Sequence, residues 1–204
     1  TDLNDTAGEI STCILSAINW GNVKKPSDFE PICNLAVRGL DALISYQTYP
    51  VIAAELATKA RRNLGVGIIN FAYWMAKHDL KYQDIDEAGL ALIDEYTEAW
   101  SYYLIKASVD LAEELGPCEK YKDTKYSKGI LPIDTYKKEV DELVKPSNKM
   151  DWDELRDRLV TVGIRNSTLM ALMPSESSSQ ISNATNGIEP PRSLVSIKQS
   201  KDGV

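Results

Sequence analysis

"LGVGIINF", residues 64–71, is a short apolar run broken only by two glycines. Its length and lack of charge predict a buried strand. What flanks it decides the fold. Pro50 opens a helix through "VIAAELATKARRN", residues 51–63, and "AYWMAKHD", residues 72–79, continues into another. Upstream, "GEISTCILSAIN" (Gly8 to Asn19) is rich in β-branched and apolar residues and stops before Trp20-Gly21-Asn22, so it reads as a second buried strand. Strands separated by helices favour a mainly parallel sheet or barrel with the helices packed outside.

The helices are written in the same way. In "KPSDFEP", residues 25–31, Ser27 with Glu30 three residues on has the pattern of a capping box, and Pro31 falls in the first turn, where its missing N–H does no harm. Ile32, Leu35, Ala36, Leu40, Leu43 and Ile44 follow at helical spacing. The clearest element runs from Asp86 to Leu115 and is stopped by Gly116-Pro117. Leu90, Ile93, Tyr96, Trp100, Tyr103, Leu104, Ala107, Leu111 and Leu115 form one stripe along it. The aromatics of that stripe could line a cofactor pocket, but their spacing is the ordinary spacing of core. After a loop around "KYSKGILPID", Asp151 and Glu154 cap "DWDELRDRLVTVG", which Gly163 closes. "STLMALM" (Ser167 to Met173) and "SLVSIK" (residues 193–198) complete the strands. The class is α/β, and so much helix for four short strands predicts that part of the sheet is missing.

Composition narrows the function. A chain of 204 residues with 43% apolar and 26% charged residues is ordinary for a globular protein, as one large domain or two small ones. A net charge of −7 argues against non-specific nucleic-acid binding, which needs a basic surface. No apolar stretch reaches the roughly eighteen residues of a membrane span, and "TDLNDTAGEI" lacks the layout of a secretory signal. The expected compartment is the cytoplasm. The start at Thr1 and the stop within "SLVSIKQSKDGV" predict a piece of a longer protein, or one half of a split one. Cys13, Cys33 and Cys118 have no short mutual spacing, which excludes a CxxC zinc site and reads as free thiols. The sole histidine, His78, reads as a helix-end or surface imidazole.

Ser175, Ser177, Ser178 and Ser179 cluster just after the "STLMALM" strand, at the start of a helix. Serine there is a common cap. Helix starts also present unpaired N–H groups and partial positive charge, and the carboxyl ends of parallel strands are where α/β proteins bind ligands, so a phosphate site is the other reading. Glu176 argues against phosphate unless its backbone, rather than its side chain, faces the ligand. Cys13 alone reads as a small buried hydrophobe.

Four long stretches, collinear over essentially the whole chain, carry a resemblance. They are "NDTAGEISTCILSAIN" (residues 4–19), "RRNLGVGIINFAYWMAKH" (61–78), "YSKGILPIDTYKKEVD" (126–141) and "RNSTLMALMPSESSSQISNATNGIEPPR" (165–192). Together they resemble the large (alpha) subunit of class I, aerobic ribonucleotide reductase of the enterobacterial and phage type. The resemblance implies that residues 1–204 supply the later part of a ten-stranded α/β barrel made of two parallel half-sheets. It implies that Cys13 is the second redox cysteine, which pairs with an upstream cysteine to reduce the ribose 2′ position, and that Leu15 lines the nucleotide pocket. Pro174, Ser175, Glu176, Ser177 and Ser178 match the family's turn that binds the substrate diphosphate, with serine in place of threonine at 177. The turn's donors and the Cys13 sulfur are then expected on the same side of the barrel. Cys33 and Cys118 match no redox position of the family.

The resemblance also implies what lies elsewhere. The finger loop with the thiyl-radical cysteine, the partner of Cys13, the effector sites and the activity cone would precede Thr1. The radical-relaying tyrosines and the tail cysteines would follow Val204. This stretch would bind no cofactor of its own; the family's metal-radical cofactor sits in the small (beta) subunit, and ATP and deoxynucleotide effectors bind outside it. The implied partners are a ribonucleoside diphosphate, the small subunit, the remaining segments of the large subunit, and thioredoxin or glutaredoxin as reductant, in a bacterial or phage-infected cell. Nucleic acid and membrane are not expected partners. A helical adaptor presenting the Asp86–Leu115 helix is the alternative from another class, and a different radical-using reductase with the same barrel is a nearer one.

Overall fold

A computed structural model describes residues 6–193 and 195 of the chain. Two parallel strands, β1 (Ile14–Asn19) and β2 (Leu64–Ile69), pair in register from Ile14 opposite Leu64 to Asn19 opposite Ile69. The crossover between them carries α1 (Phe29–Tyr46) and α2 (Ile52–Arg61). Then come α3 (Phe71–Lys77), α4 (Glu87–Leu115), α5 (Trp152–Thr161) and α6 (Glu176–Ile181). Two helices separate the two strands, as the sequence predicts, but only two of the four expected strands form among the described residues, and no helix there is long and apolar enough to cross a membrane.

Both outer strands are shorter than expected, for local reasons. β1 begins at Ile14 because Ile10 donates its N–H to Ala53 of α2 and the Thr12 hydroxyl meets Thr58, so residues 10–12 follow the helix instead of β2. Cys13 therefore lies just before the strand. Residues 167–173 reach the other edge of β2 through Leu64 N to Thr168 O (3.0 Å), Val66 N to Leu169 O (2.8 Å) and Ala171 N to Val66 O (3.2 Å). They form one parallel bridge, Val66 opposite Met170, rather than a full strand. Ser167 and Thr168 turn their hydroxyls to Asn63 Oδ1, and Pro174 brings no N–H, so the ladder is confined to the middle of the segment. The "SLVSIK" strand falls largely outside the described residues.

β2 is buried along its whole length, as the "LGVGIINF" reading requires. Beneath the sheet α1 packs on α4. The buried face of α1 is Cys33, Val37, Leu40 and Ile44, one position away from part of the expected set, which leaves Leu35 and Leu43 outside. The start of α1 also differs: Asp28, not Ser27 with Glu30, takes the amides of Lys24 and Lys25 on its carboxylate. Asp86 and Asp151 cap α4 and α5 through the N–H groups of Gly89 and Glu154. The aromatic stripe of α4 is core. Tyr96 packs 4.9 Å from Trp74, which lies 5.5 Å from Trp20 and beside His78 at the end of α3.

Two polar fastenings hold the helices in place. Asp41 of α1, 3% exposed, accepts from Arg62 Nε (2.6 Å), Asn166 Nδ2 (3.0 Å) and Arg165 Nε (3.3 Å). It thereby ties α1 to both the entry of β2 and the entry of the third segment. On α4, Glu98 accepts from the Ser147 hydroxyl, Lys149 N (3.0 Å), Met150 N (3.2 Å) and Trp152 Nε1 (2.8 Å). Burial raises the Glu98 carboxyl's proton affinity, but these four donors outweigh it and hold the pKa below the usual carboxylate range.

A depressed folded pKa contributes stability that is present above the unfolded value, about 4.3, and is lost as pH falls through the folded one. Hydrogen exchange of residues 145–151 is therefore expected to accelerate as pH drops below about 4, after correction for intrinsic exchange. Glu98→Gln should flatten that dependence, and an unchanged profile would show that Glu98 does not anchor the loop.

Candidate active site

Along β1, side chains alternate between two faces. Ile14, Ser16 and Ile18 point to the helices, while Leu15, 50% exposed, and Ala17 point the other way. Cys13 continues the second set two residues before Leu15, and its thiol is exposed. Gly65 and Gly67 of β2 lie opposite Leu15 and Ala17. A Cβ on Gly65 would stand 2.5 Å from Leu15 Cδ2, and one on Gly67 2.6 Å from both Met173 Sδ and Ala171 O. The missing side chains let Leu15 and Met173 lie flat across β2. The result is a shallow trough floored by Leu15, the glycines, Ala171 and Met173.

The serine turn closes the carboxyl end of this trough, immediately after Met173. Ser175 is buried; its N–H donates to Asn186 Oδ1 (2.7 Å) and its hydroxyl points back to Met173 O (3.4 Å). Ser177 and Ser178 are exposed in the first turn of α6, where N–H groups have no intrahelical acceptor. Asn186 Nδ2 donates to Glu176 Oε1 (3.0 Å). The carboxylate that argues against a phosphate is therefore held by a side chain.

The thiol and the turn share one face but not one end. Cys13 is level with Asn63 at the amino end of β2, whereas Ala171, the last laddered residue before the turn, is level with Gly67. Four residues of strand, about 13 Å, separate those levels. Leu15 lies between them.

The other cysteines are elsewhere and differ in chemistry. Cys33 lies on the buried face of α1 with its Sγ near Trp100 O, and Cys118 is buried after α4. Burial pushes both thiols above the usual cysteine range. Sequence reasoning passed over Gly65, Gly67, Met173, Asn70 and Asn186. The alternating glycines in "LGVG" and the Asn-Gly turn in "NATNG" were the available signals.

The described residues thus carry a parallel α/β sheet with an exposed cysteine before its first strand and a serine turn after the segment that bridges its second. Residues 2–204 match the family described as "Ribonucleotide reductase, barrel domain", and the chain belongs to that family. It is 54% identical over 202 residues to the ribonucleoside-diphosphate reductase subunit alpha of Haemophilus influenzae, covering 99% of this chain and 26% of the relative. With the subunit of the same name from Enterobacteria phage T4 it shares 49% over 207 residues, and with ribonucleoside-diphosphate reductase 1 subunit alpha of Escherichia coli 55% over 161. Coverage is 99% and 79% of this chain, and 26% and 21% of those relatives. The chain spans about a quarter of the length of such relatives.

Proposed function

We propose that residues 1–204 form part of the ten-stranded catalytic barrel of a ribonucleoside-diphosphate reductase large subunit, which reduces ribonucleoside diphosphates to their 2′-deoxy forms for DNA synthesis. The observation that carries this reading is the open sheet face bearing Cys13, Leu15 and the Ser175–Ser178 turn in that order. The substrate lies along it. Its diphosphate takes the N–H groups and hydroxyls of Ser177 and Ser178, with Ser175 and Glu176 shaping the turn, and its ribose passes Leu15 toward Cys13. In the reduction, Cys13 and a thiol from outside this chain together give up two hydrogens. The 2′ C–O bond breaks, water leaves, the carbon gains hydrogen, and a disulfide forms between the two sulfurs.

An accessible thiol suits a later exchange with thioredoxin or glutaredoxin, which restores Cys13. The metal-radical cofactor that initiates such chemistry belongs to the small subunit, and allosteric nucleotides bind outside this stretch. The remaining segments of the large subunit complete the barrel. The setting is the cytoplasm of a bacterium or a phage-infected cell. The adaptor alternative loses its main support, because α4 is buried along most of its length between α1 and α5.

The test is nucleotide binding by the complete large subunit. Replacing Ser177 and Ser178 together with alanine should weaken a nucleoside diphosphate on the order of tenfold or more, since hydrogen bonds to charged groups are the costly ones to lose. The matching nucleoside should bind nearly as before. Equal losses for both would sink the proposal.

A further inference from the structure

Asn186 makes two bonds that meet at the serine turn. Its Oδ1 accepts the Ser175 N–H at 2.7 Å, and its Nδ2 donates to Glu176 Oε1 at 3.0 Å. The first bond fixes the residue from which α6 departs, because the Ser175 side chain makes no capping bond of its own. The second holds a carboxylate in the very turn where an anion is to be received.

The loop that presents Asn186 is tied to the sheet. Thr185 N donates to Asn70 Oδ1 (3.2 Å), and Asn70 N donates to Thr185 O (2.8 Å). Asn70 Nδ2 in turn donates to Asn19 Oδ1 (2.9 Å) at the end of β1. Asn70 holds a left-handed conformation, φ 64°, which asparagine tolerates better than most residues. On the other side, Ala184 N donates to Ser179 O of α6 (2.9 Å). A chain of side-chain amides thus runs from the carboxyl end of β1, through β2, to the turn.

From this geometry we infer that Asn186 is a positioning residue for the substrate diphosphate. It sets the direction of the first-turn N–H groups and keeps the Glu176 carboxylate from the anion. The inference rests on the phosphate reading above. Neutrality of the amide is essential to it, since the same side chain must accept from one neighbour and donate to the other.

Steady-state kinetics of the complete reductase, large and small subunits together, test this. Asn186→Asp keeps an acceptor for Ser175 N–H but loses the donor and sets a second carboxylate beside Glu176. It should raise KM for a nucleoside diphosphate about tenfold with kcat changed less than about twofold. Adding Glu176→Gln to that variant supplies a donor toward the new carboxylate and should recover most of the loss. An unchanged KM in Asn186→Asp, or a joint fall of kcat and affinity that Glu176→Gln does not relieve, would overturn the inference.

If that variant does not fold, Asn186→Ala, which removes both bonds, should likewise raise KM with kcat little changed, and an unchanged KM or an equal fall in kcat overturns the inference. A diphosphate-specific loss in the Ser177/Ser178 alanine variant with no effect at Asn186 defeats this inference alone. If the serine replacements also leave diphosphate binding untouched, the cradle reading falls and takes the inference with it.

Discussion

Cys13→Ser in the complete reductase is expected to lose multiple turnover by on the order of a thousandfold or more while binding nucleotide nearly as the parent does. The size follows from the electron count. In the proposed reaction the 2′ carbon is reduced by two thiols that end as one disulfide, and a hydroxyl at residue 13 cannot form the sulfur–sulfur bond. Binding is spared because the exposed thiol lies at the amino end of the trough, about 13 Å of strand from the level of Ala171 and farther still from the turn proposed to hold the diphosphate. Deoxynucleotide formation with excess reductant and nucleotide binding at equilibrium are measured side by side. Full turnover in the variant removes Cys13 from its role, and loss of binding would place the thiol in contact with the substrate's anchoring groups.

The second large effect is on stability. Asp41→Ala should destabilise the domain by about 3–5 kcal/mol, because it strips the counter-charge from a buried guanidinium. Arg62 is 7% exposed and bonds not only the Asp41 carboxylate but also Asp41 O (2.7 Å) and Ser45 Oγ (2.9 Å), so it cannot swing into water without tearing the end of α1. Asn166 would lose the same acceptor while its Oδ1 stays with Ser108 (2.8 Å). The urea midpoint of the transition reports the loss. Asp41→Asn, which keeps one oxygen for Asn166 or Arg62, should cost visibly less, and equal midpoints for the two variants would show that the retained acceptor contributes nothing and that the lost charge carries the whole effect.

The elements most readable in the sequence were those whose signal is local. The Asp86–Leu115 helix carries its own cap, its own stop and a long periodic run, and it folds as written. The "LGVGIINF" strand is short, apolar and bracketed by helices, and β2 is fully buried. Less was legible where a distant partner chooses between local options. Helical spacing alone left two neighbouring faces of α1 available, and packing against α4 and the two strands selects Cys33, Val37 and Ile44. The stripe of α4 underestimates its core because Tyr102 packs against Trp152 of α5 while other faces serve α1. Thr12 looks like strand and is drawn off by Thr58, 46 residues away.

For the site, the same rule holds. The serine cluster could be read two ways from its place at a helix start, as caps or as a phosphate site, and the role of Cys13 came from the resemblance to a family alone. Asn186 was invisible because its two bonds link segments that the sequence keeps 10 and 11 residues apart, in a loop whose turn signal says nothing of partners.

Burial of Cys33 and Cys118 has a consequence for redox traffic. If Cys13 forms a disulfide as proposed, that disulfide would be passed on to a sulfur reaching the open trough and not to the two interior thiols, which are buried and reluctant to ionise. Of the three cysteines, only Cys13 is exposed. An alkylating reagent applied to the native protein should label Cys13 before Cys33 and Cys118, so in the proposed cycle its rate would report how much of that thiol has been restored.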